Sequence, residues 1–154
     1  MKLRGVLVAA ASVTLLAATV FAAEAIKLDG IKCAMNLKGP AKADKFLAYK
    51  GGKVFFCCGN CPKAFTKKLA SKDKLVAAKG NLQLIATGQA KQAKCPFSGG
   101  PAKDGTEVEV SGASIKFCCN NCQGTAKKLK GEAQLLKLFS DEAFKKAAFK
   151  VAKK

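Results

Sequence analysis

Two short stretches of the chain have the pattern of apolar and polar residues expected of β-strands, and each stretch leads into a run of cysteines. In the first, residues 45–50 and 53–56 flank the dipeptide Gly51-Gly52, which is typical of a two-residue hairpin turn. In the second, residues 106–110 alternate with period two, and residues 114–117 follow after a short turn. The pattern therefore predicts two β-hairpins.

After each run of cysteines the spacing of apolar residues changes to that of a helix. The first predicted helix covers residues 63–70, with Cys61 at its cap and Pro62 at its first position. The second starts at Asn121 or Cys122 and extends to about residue 130. Each hairpin is thus expected to be followed by a helix that begins at cysteines.

The remaining segments predict further short elements. We expect a second helix at residues 73–79, ended by Gly80, and a strand at residues 82–86 (LQLIA). Ser140 is expected to start a lysine-rich amphipathic helix that extends towards the C-terminus. Its apolar face favours packing against its own domain, with docking to a membrane surface as the alternative.

The two stretches belong to a repeat with an offset of 61 residues. GPAK at 39–42 recurs at 100–103, and FCCGNC at 56–61 recurs as FCCNNC at 117–122. A fixed period of this size indicates a repeated structural unit. The expected domains are residues 26–90 and 91–154. Below, the first repeat means residues 33–61 and the second repeat residues 95–122.

Residues 1–25 are expected to be a signal peptide. Lys2 and Arg4 precede an apolar run at 6–21, and Ala23-Glu24-Ala25 fits a small-residue cleavage site. The alternative is a membrane anchor, for which the apolar run is short. The prediction is an exported protein, either periplasmic or secreted.

The charge of the chain limits its partners. The formal net charge is +18, and all but one of the 28 basic residues are lysine. Lysine lacks the planar fork with which arginine recognises bases and phosphates, and the chain has no tryptophan and a single tyrosine for stacking. The composition argues against specific nucleic-acid binding and predicts only weak attraction to anionic membranes or polymers. It indicates no particular protein partner.

The cysteines suggest the chemistry. A lone cysteine in a turn, then a hairpin, then three cysteines at a helix start can bring four sulfurs together in each repeat. The chain contains no histidine, so a site of this kind is dominated by sulfur and suits Zn²⁺ or Cu(I), with one ion per repeat. The candidate metal ligands are Cys33, Cys57, Cys58, Cys61, Cys95, Cys118, Cys119 and Cys122.

Two motifs resemble those of a known family. CPFSG at 95–99, followed by a hairpin and FCCNNC, and FCCGNCPKAF at 56–65 are similar to the TRASH/YHS family of small treble-clef metal-binding modules. The resemblance implies an α+β fold with two tandem treble-clef-like modules (knuckle, β-hairpin, helix), each followed by short helices. It also implies a thiolate-bound metal and a role in metal sensing, trafficking or resistance.

By position, the resemblance assigns three core cysteines to each repeat. These are Cys33, Cys57 and Cys61 in the first repeat, and Cys95, Cys118 and Cys122 in the second. Cys58 and Cys119 are additional, and either a fourth ligand or a reserve thiol fits them. The first knuckle departs from CPFSG, since Ala34 and Asn36 replace the proline and the serine.

Two other interpretations of the cysteines remain open. An exported protein with eight cysteines can be a scaffold held by disulfides, with three pairings possible in each repeat. Alternatively, Cys58–Cys61 or Cys119–Cys122 can exchange disulfides, although the expected βαβ context is missing. An enzyme with a Cys–His nucleophile is excluded by the lack of histidine. The sequence favours a non-enzymatic protein for metal binding, storage, delivery or sensing.

Overall fold

The computed structural model describes residues 26–152, so the expected signal peptide lies outside the described residues. The strands are β1 Lys42–Tyr49, β2 Gly52–Phe56, β3 Ala90–Lys91, β4 Lys103–Val110, β5 Ala113–Phe117 and β6 Lys150–Val151. The helices are α1 Asn60–Ala70, α2 Lys74–Ala86, α3 Asn120–Lys128, α4 Gly131–Phe139 and α5 Asp141–Lys146. No helix in this part of the chain has the length and apolar character needed to cross a membrane.

The strands form three separate two-stranded antiparallel sheets, β1–β2, β4–β5 and β3–β6. The first two are the predicted hairpins, and their turns are equivalent. Lys50 and Gly51 have φ values of 50° and 85°, and Ser111 and Gly112 have values of 49° and 84°. Positive φ at both central residues is the type I′ geometry, which matches the twist of the flanking strands.

The first turn lies one residue earlier than predicted. Tyr49 pairs with Gly52, so the turn residues are Lys50 and Gly51, and Gly52 belongs to β2. A Cβ atom on Gly52 would lie 2.8 Å from Gln89 Oε1 and from a methyl carbon of Leu84. The second glycine of the pair is therefore required by close packing and not by the turn.

The helix predicted at 73–79 is confirmed as the first part of α2, but the strand predicted at 82–86 is wrong, because α2 continues through those residues. The Asp73 side chain caps it by accepting hydrogen bonds from Leu75 N and Val76 N at 3.0 and 3.1 Å. Gly80 does not end the helix. A Cβ there would lie 2.8 Å from the Tyr49 ring and 2.9 Å from the Phe65 ring, so glycine allows α2 to approach these aromatic side chains.

The segment LQLIA resembled a strand because its residues are buried on every side of the helix. Residues 80–85 are all buried, so the polar face that marks a surface helix is absent.

The helices α1 and α3 begin at Asn60 and Asn120, earlier than predicted. Cys61 and Cys122 therefore lie in the first helical turn.

The C-terminal segment packs onto the protein, as expected for its apolar face. Leu135, Phe139 and Phe144 are buried in the core. The amphipathic helix is shorter than predicted, since Ser140 caps α5 through Ala143 N and α5 ends at Lys146. The chain then pairs as β6 with β3.

The helix α2 contacts both repeats. It packs against β2 of the first hairpin and against β5, α4 and α5 on the other side. Buried residues from both repeats form one continuous apolar cluster. The architecture is thus mixed α and β with small antiparallel hairpins, in agreement with the predicted α+β class, while the domain boundary at residue 90 stays a prediction.

A buried amide joins the two halves through α2. Asn81 is fully buried, and its Nδ2 donates to Phe139 O and to Asp141 Oδ1, both at 2.8 Å. Its Oδ1 accepts from Lys50 Nζ at 2.9 Å. Lys50 Nζ also pairs with Asp141 at 2.5 Å. The first hairpin turn and the α4–α5 junction are therefore connected by one polar network.

We predict that Asn81→Ala lowers the free energy of unfolding by about 2–3 kcal/mol, because buried partners lose their hydrogen bonds and a cavity forms. Urea unfolding followed by circular dichroism measures the change. Asn60→Ala, at an exposed position in the first turn of α1, is the matched control and is expected to cost less than about 1 kcal/mol. Equal costs for the two variants would contradict the bridging role of Asn81.

Candidate metal centres

The first knuckle is a tight turn that begins at Cys33. The Cys33 N–H donates to Gly39 O at 2.8 Å, and the Leu37 N–H donates to Cys33 O at 2.9 Å. Leu37 has a φ of 55° in the left-handed region, which lets the chain reverse. A Cβ on Gly39 would lie 3.1 Å from Cys57 Cβ, so glycine allows the turn to approach the end of β2.

The second knuckle repeats this geometry with one residue fewer. The Cys95 N–H donates to Gly100 O at 2.8 Å, and the Gly99 N–H donates to Cys95 O at 2.9 Å. Gly99 has a φ of 76°, at the position equivalent to Leu37. The extra residue of the first knuckle explains why its lone cysteine lies one position farther from the cysteine run.

The third residue after each knuckle cysteine contacts a sulfur. Ser98 Oγ donates to Cys118 Sγ at 3.1 Å and accepts from Gly100 N. Asn36 Nδ2 lies 3.9 Å from Cys57 Sγ, and its Oδ1 accepts from Lys38 N at 3.0 Å. Asn36 therefore makes the same two kinds of contact as the serine of CPFSG, although the residue differs.

The knuckles bring their cysteines to the sulfurs at the helix starts. Cys57 follows β2, Cys61 lies in the first turn of α1, and their sulfurs are 3.7 Å apart. In the second repeat the sulfurs of Cys118 and Cys122 are also 3.7 Å apart. Each pair forms a group with the sulfur of its knuckle cysteine, and within each group all sulfurs lie within 4.8 Å of one another. The first cysteine group is Cys33, Cys57 and Cys61, and the second cysteine group is Cys95, Cys118 and Cys122.

These separations fit a shared metal ion. Two thiolates bound to Zn²⁺ at 2.3 Å in tetrahedral geometry lie about 3.8 Å apart, close to the 3.7 Å observed in both groups. A disulfide requires about 2.05 Å, and all eight cysteines are free thiols. Each group can therefore hold one ion through three sulfurs.

The two additional cysteines lie beside the groups, at the surface. Cys58 Sγ is 3.3 Å from Cys61 Sγ, and Cys119 Sγ is 3.7 Å from Cys118 Sγ. Both residues are exposed, whereas Cys33 and Cys95 are fully buried. Of the eight predicted ligands, the structure thus brings six into two compact groups and leaves Cys58 and Cys119 at the margin.

The knuckle cysteines favour the thiolate. Burial raises the pKa of the Cys33 thiol, but backbone N–H groups of the knuckle and of Cys57 outweigh burial and lower the pKa below its usual value. At Cys95 burial is again the largest single cause, yet N–H groups of Ser98 and Cys118 bring the pKa down to about 7. A cluster of backbone donors thus stabilises negative charge at each buried sulfur.

The helix-start cysteines favour the protonated thiol. Burial, followed by hydrogen bonds with neighbouring cysteines, raises the pKa of Cys122 to about 12 and raises that of Cys61 as well. Contact with Cys33 is the main cause that raises the pKa of Cys57. A cation held between these sulfurs would therefore have to displace their protons.

Two glutamine side chains support the groups in matching ways. Gln83 Oε1 accepts from Phe55 N at 2.6 Å, and its Nε2 donates to Phe55 O and to Lys32 O. Gln92 Oε1 accepts from Lys116 N at 2.9 Å, and its Nε2 donates to Lys116 O and to Lys94 O, both at 2.7 Å. Each amide therefore connects the second hairpin strand to the residue that precedes the knuckle cysteine.

Sequence reasoning missed both glutamines because they are not related by the 61-residue offset. Gln83 comes from α2, after the first repeat, whereas Gln92 precedes the second repeat. The signal for Gln83 was a single polar residue inside the apolar segment LQLIA, since a buried amide needs partners. The position of Gln92, between β3 and the second repeat, carried no such signal.

We predict that Gln83→Leu exposes the knuckle of the first repeat and leaves that of the second unchanged. In the reduced, metal-free protein, alkylation of Cys33 should accelerate about tenfold or more. The reason is that losing these hydrogen bonds lowers the free energy of local opening by at least about 1.4 kcal/mol, which raises the population of the open state about tenfold. Peptide mass spectrometry after timed iodoacetamide labelling measures both knuckle cysteines. Gln92→Leu is the reciprocal control and should accelerate Cys95 alone; equal acceleration of both cysteines by either variant would refute the local support.

Comparisons with known proteins found no similar protein. No family model matches the chain, and neither the curated proteins nor the solved structures contain a match. The similarity to the TRASH/YHS modules stays a prediction that rests on the residues of the two motifs.

Proposed function

We propose that this protein is an exported soft-metal-binding protein that holds one Zn²⁺ or Cu(I) ion in each cysteine group and stores, delivers or senses it. The observation that carries the proposal is the presence of two groups of three sulfurs within 4.8 Å of one another. Knuckle, hairpin and helix start position both groups in the same way. This arrangement supports a TRASH/YHS-like module in each repeat.

The ligand set supports soft metals. Thiolates suit Zn²⁺ and Cu(I), and the sequence offers no histidine to share the site. Zn²⁺ in closed structural sites takes four ligands, so three thiolates leave one position for water or another donor. A site with one open position suits an ion that is passed on, which favours storage or delivery over a purely structural ion.

The surface charge supports a second, weaker property. The chain carries a formal net charge of +18, almost all from lysine. We propose that anionic membranes or polymers attract the protein through this charge, without specific contacts. At 0.1 M ionic strength, salt largely screens such attraction between charges more than about 10 Å apart.

We predict that the natively purified protein carries about two equivalents of metal. Native mass spectrometry with and without a chelator measures the metal content, and alkylation of the denatured protein counts reduced thiols. All eight thiols should be reduced in the metal-bound form. Four disulfides without metal would contradict the proposal and support the disulfide-held scaffold.

We predict that Cys61→Ser loses about one metal equivalent and destabilises the first repeat, because metal binding and folding are coupled in small metal sites. Elemental analysis measures the metal, and thermal unfolding measures stability with and without the ion. Cys122→Ser is the matched variant in the second repeat and should retain the first ion. Should both variants keep two equivalents, the assignment of the two groups is wrong.

A further inference from the structure

In the first repeat, the sulfurs form a series from the solvent to the interior. Cys58 is exposed, Cys61 and Cys57 are half-buried, and Cys33 is fully buried. The sulfurs of Cys58 and Cys61 are 3.3 Å apart, and those of Cys61 and Cys57 are 3.7 Å apart. The sulfur of Cys33 lies within 4.8 Å of the sulfurs of Cys57 and Cys61. Neighbouring sulfurs in the series are thus close enough to share one ion.

The second repeat contains a corresponding series. Exposed Cys119 lies 3.7 Å from Cys118, which lies 3.7 Å from Cys122. Cys95 is fully buried and completes the group. The exposed sulfur contacts a different member of the group than in the first repeat, but its place between solvent and the buried ligands is the same.

We propose that Cys58 and Cys119 are exchange ligands, which accept a soft metal ion from an external thiolate carrier and pass it to the buried group. The inference rests on the proposed function and deepens it by naming the carrier class and the route. The physical reason is access: a fully buried sulfur cannot contact a metal that is still bound to its carrier, whereas an exposed sulfur can. The half-buried ligand beside it then takes over the ion.

The exchange conserves electrons and protons at each step. A metal–sulfur bond to the carrier breaks as a bond to Cys58 forms, and the Cys58 proton passes to water while the carrier thiolate takes one up. Bonds to Cys61, Cys57 and Cys33 then form as any remaining metal–sulfur bonds to the carrier break; each protein thiol releases its proton to water, and each freed carrier thiolate takes one up. The bond to Cys58 breaks last and that sulfur regains a proton. The oxidation state of the metal does not change.

The geometry separates this role from that of a permanent fourth ligand. Among the described residues, the mutually close groups contain three cysteines each, and the exposed cysteine is outside both groups. Cys57 directs its sulfur towards the group, and its neighbour Cys58 is exposed. The two adjacent sulfurs thus lie in different environments.

The test compares the double variant Cys58→Ser/Cys119→Ser with wild type and with Asn60→Ser/Asn121→Ser, which changes exposed side chains at the same helix starts and keeps every sulfur. Reduced, metal-free protein is mixed with Cd²⁺ bound to dithiothreitol, a soft probe ion on a thiolate carrier. Stopped-flow absorbance of the sulfur-to-cadmium charge-transfer band gives the uptake rate. Native mass spectrometry gives the final Cd²⁺ content.

We expect the cysteine double variant to bind the same two equivalents as wild type. Its uptake should be about tenfold slower or more, because the carrier complex must dissociate before the ion reaches the half-buried sulfurs. The asparagine double variant should match wild type in both measurements.

Three results would overturn the inference, in distinguishable ways. If the cysteine double variant binds fewer equivalents, the exposed thiols are permanent ligands. If its uptake is as fast as that of wild type, they are bystanders, and the proposed function stands without the exchange route. If wild type and the asparagine variant bind no Cd²⁺, the proposed function itself fails.

Discussion

The candidate sites depend on holding a buried turn sulfur within metal-binding reach of a helix start. Two backbone hydrogen bonds close each knuckle, at 2.8 and 2.9 Å in both repeats. Isolated bridges between Lys32 and Pro40, and between Lys94 and Pro101, join the two ends of each knuckle. The type I′ hairpin then returns the chain so that β2 or β5 ends beside the knuckle. Backbone geometry therefore sets the sulfur separations.

The central helix α2 makes this arrangement possible in a small protein. A unit of about 60 residues buries little apolar surface by itself and commonly needs a metal or a disulfide for stability. Here α2 lies between the repeats and supplies buried polar contacts to each side. Gln83 supports the first knuckle, and Asn81 bonds to Phe139 O beyond the second repeat. Each cysteine group thus lies on a core larger than its own repeat.

The distribution of protons among the thiols suits reversible metal binding. Backbone N–H groups stabilise thiolate at the knuckle sulfur, where the pKa is lowered in both repeats. Burial and neighbouring sulfurs keep the helix-start cysteines protonated, with raised pKa values at Cys61 and Cys122. A cation held by either group would displace the protons that the sulfurs with raised pKa values retain. The proposed metal binding would therefore be coupled to proton release and would weaken as the pH falls.

The sequence by itself determined the features that depend on local spacing. The repeat, the two hairpins and the helices at the cysteine runs follow from period, turn residues and the 61-residue offset, whereas the choice of six core cysteines came from the resemblance to the TRASH/YHS modules. These predictions succeeded because turn chemistry and hydrogen bonding act over a few residues.

Tertiary structure alone decided the features that depend on distant neighbours. Residues 82–86 are helical because α2 is buried between the two repeats, where an apolar helix and an apolar strand have the same pattern. Gly80 and Gly52 are required by side chains far away in the sequence. Gln83 and Gln92 acquire equivalent roles from non-equivalent positions. The difference in exposure between Cys58 and Cys33 likewise depends on what packs around each sulfur, which no local spacing records.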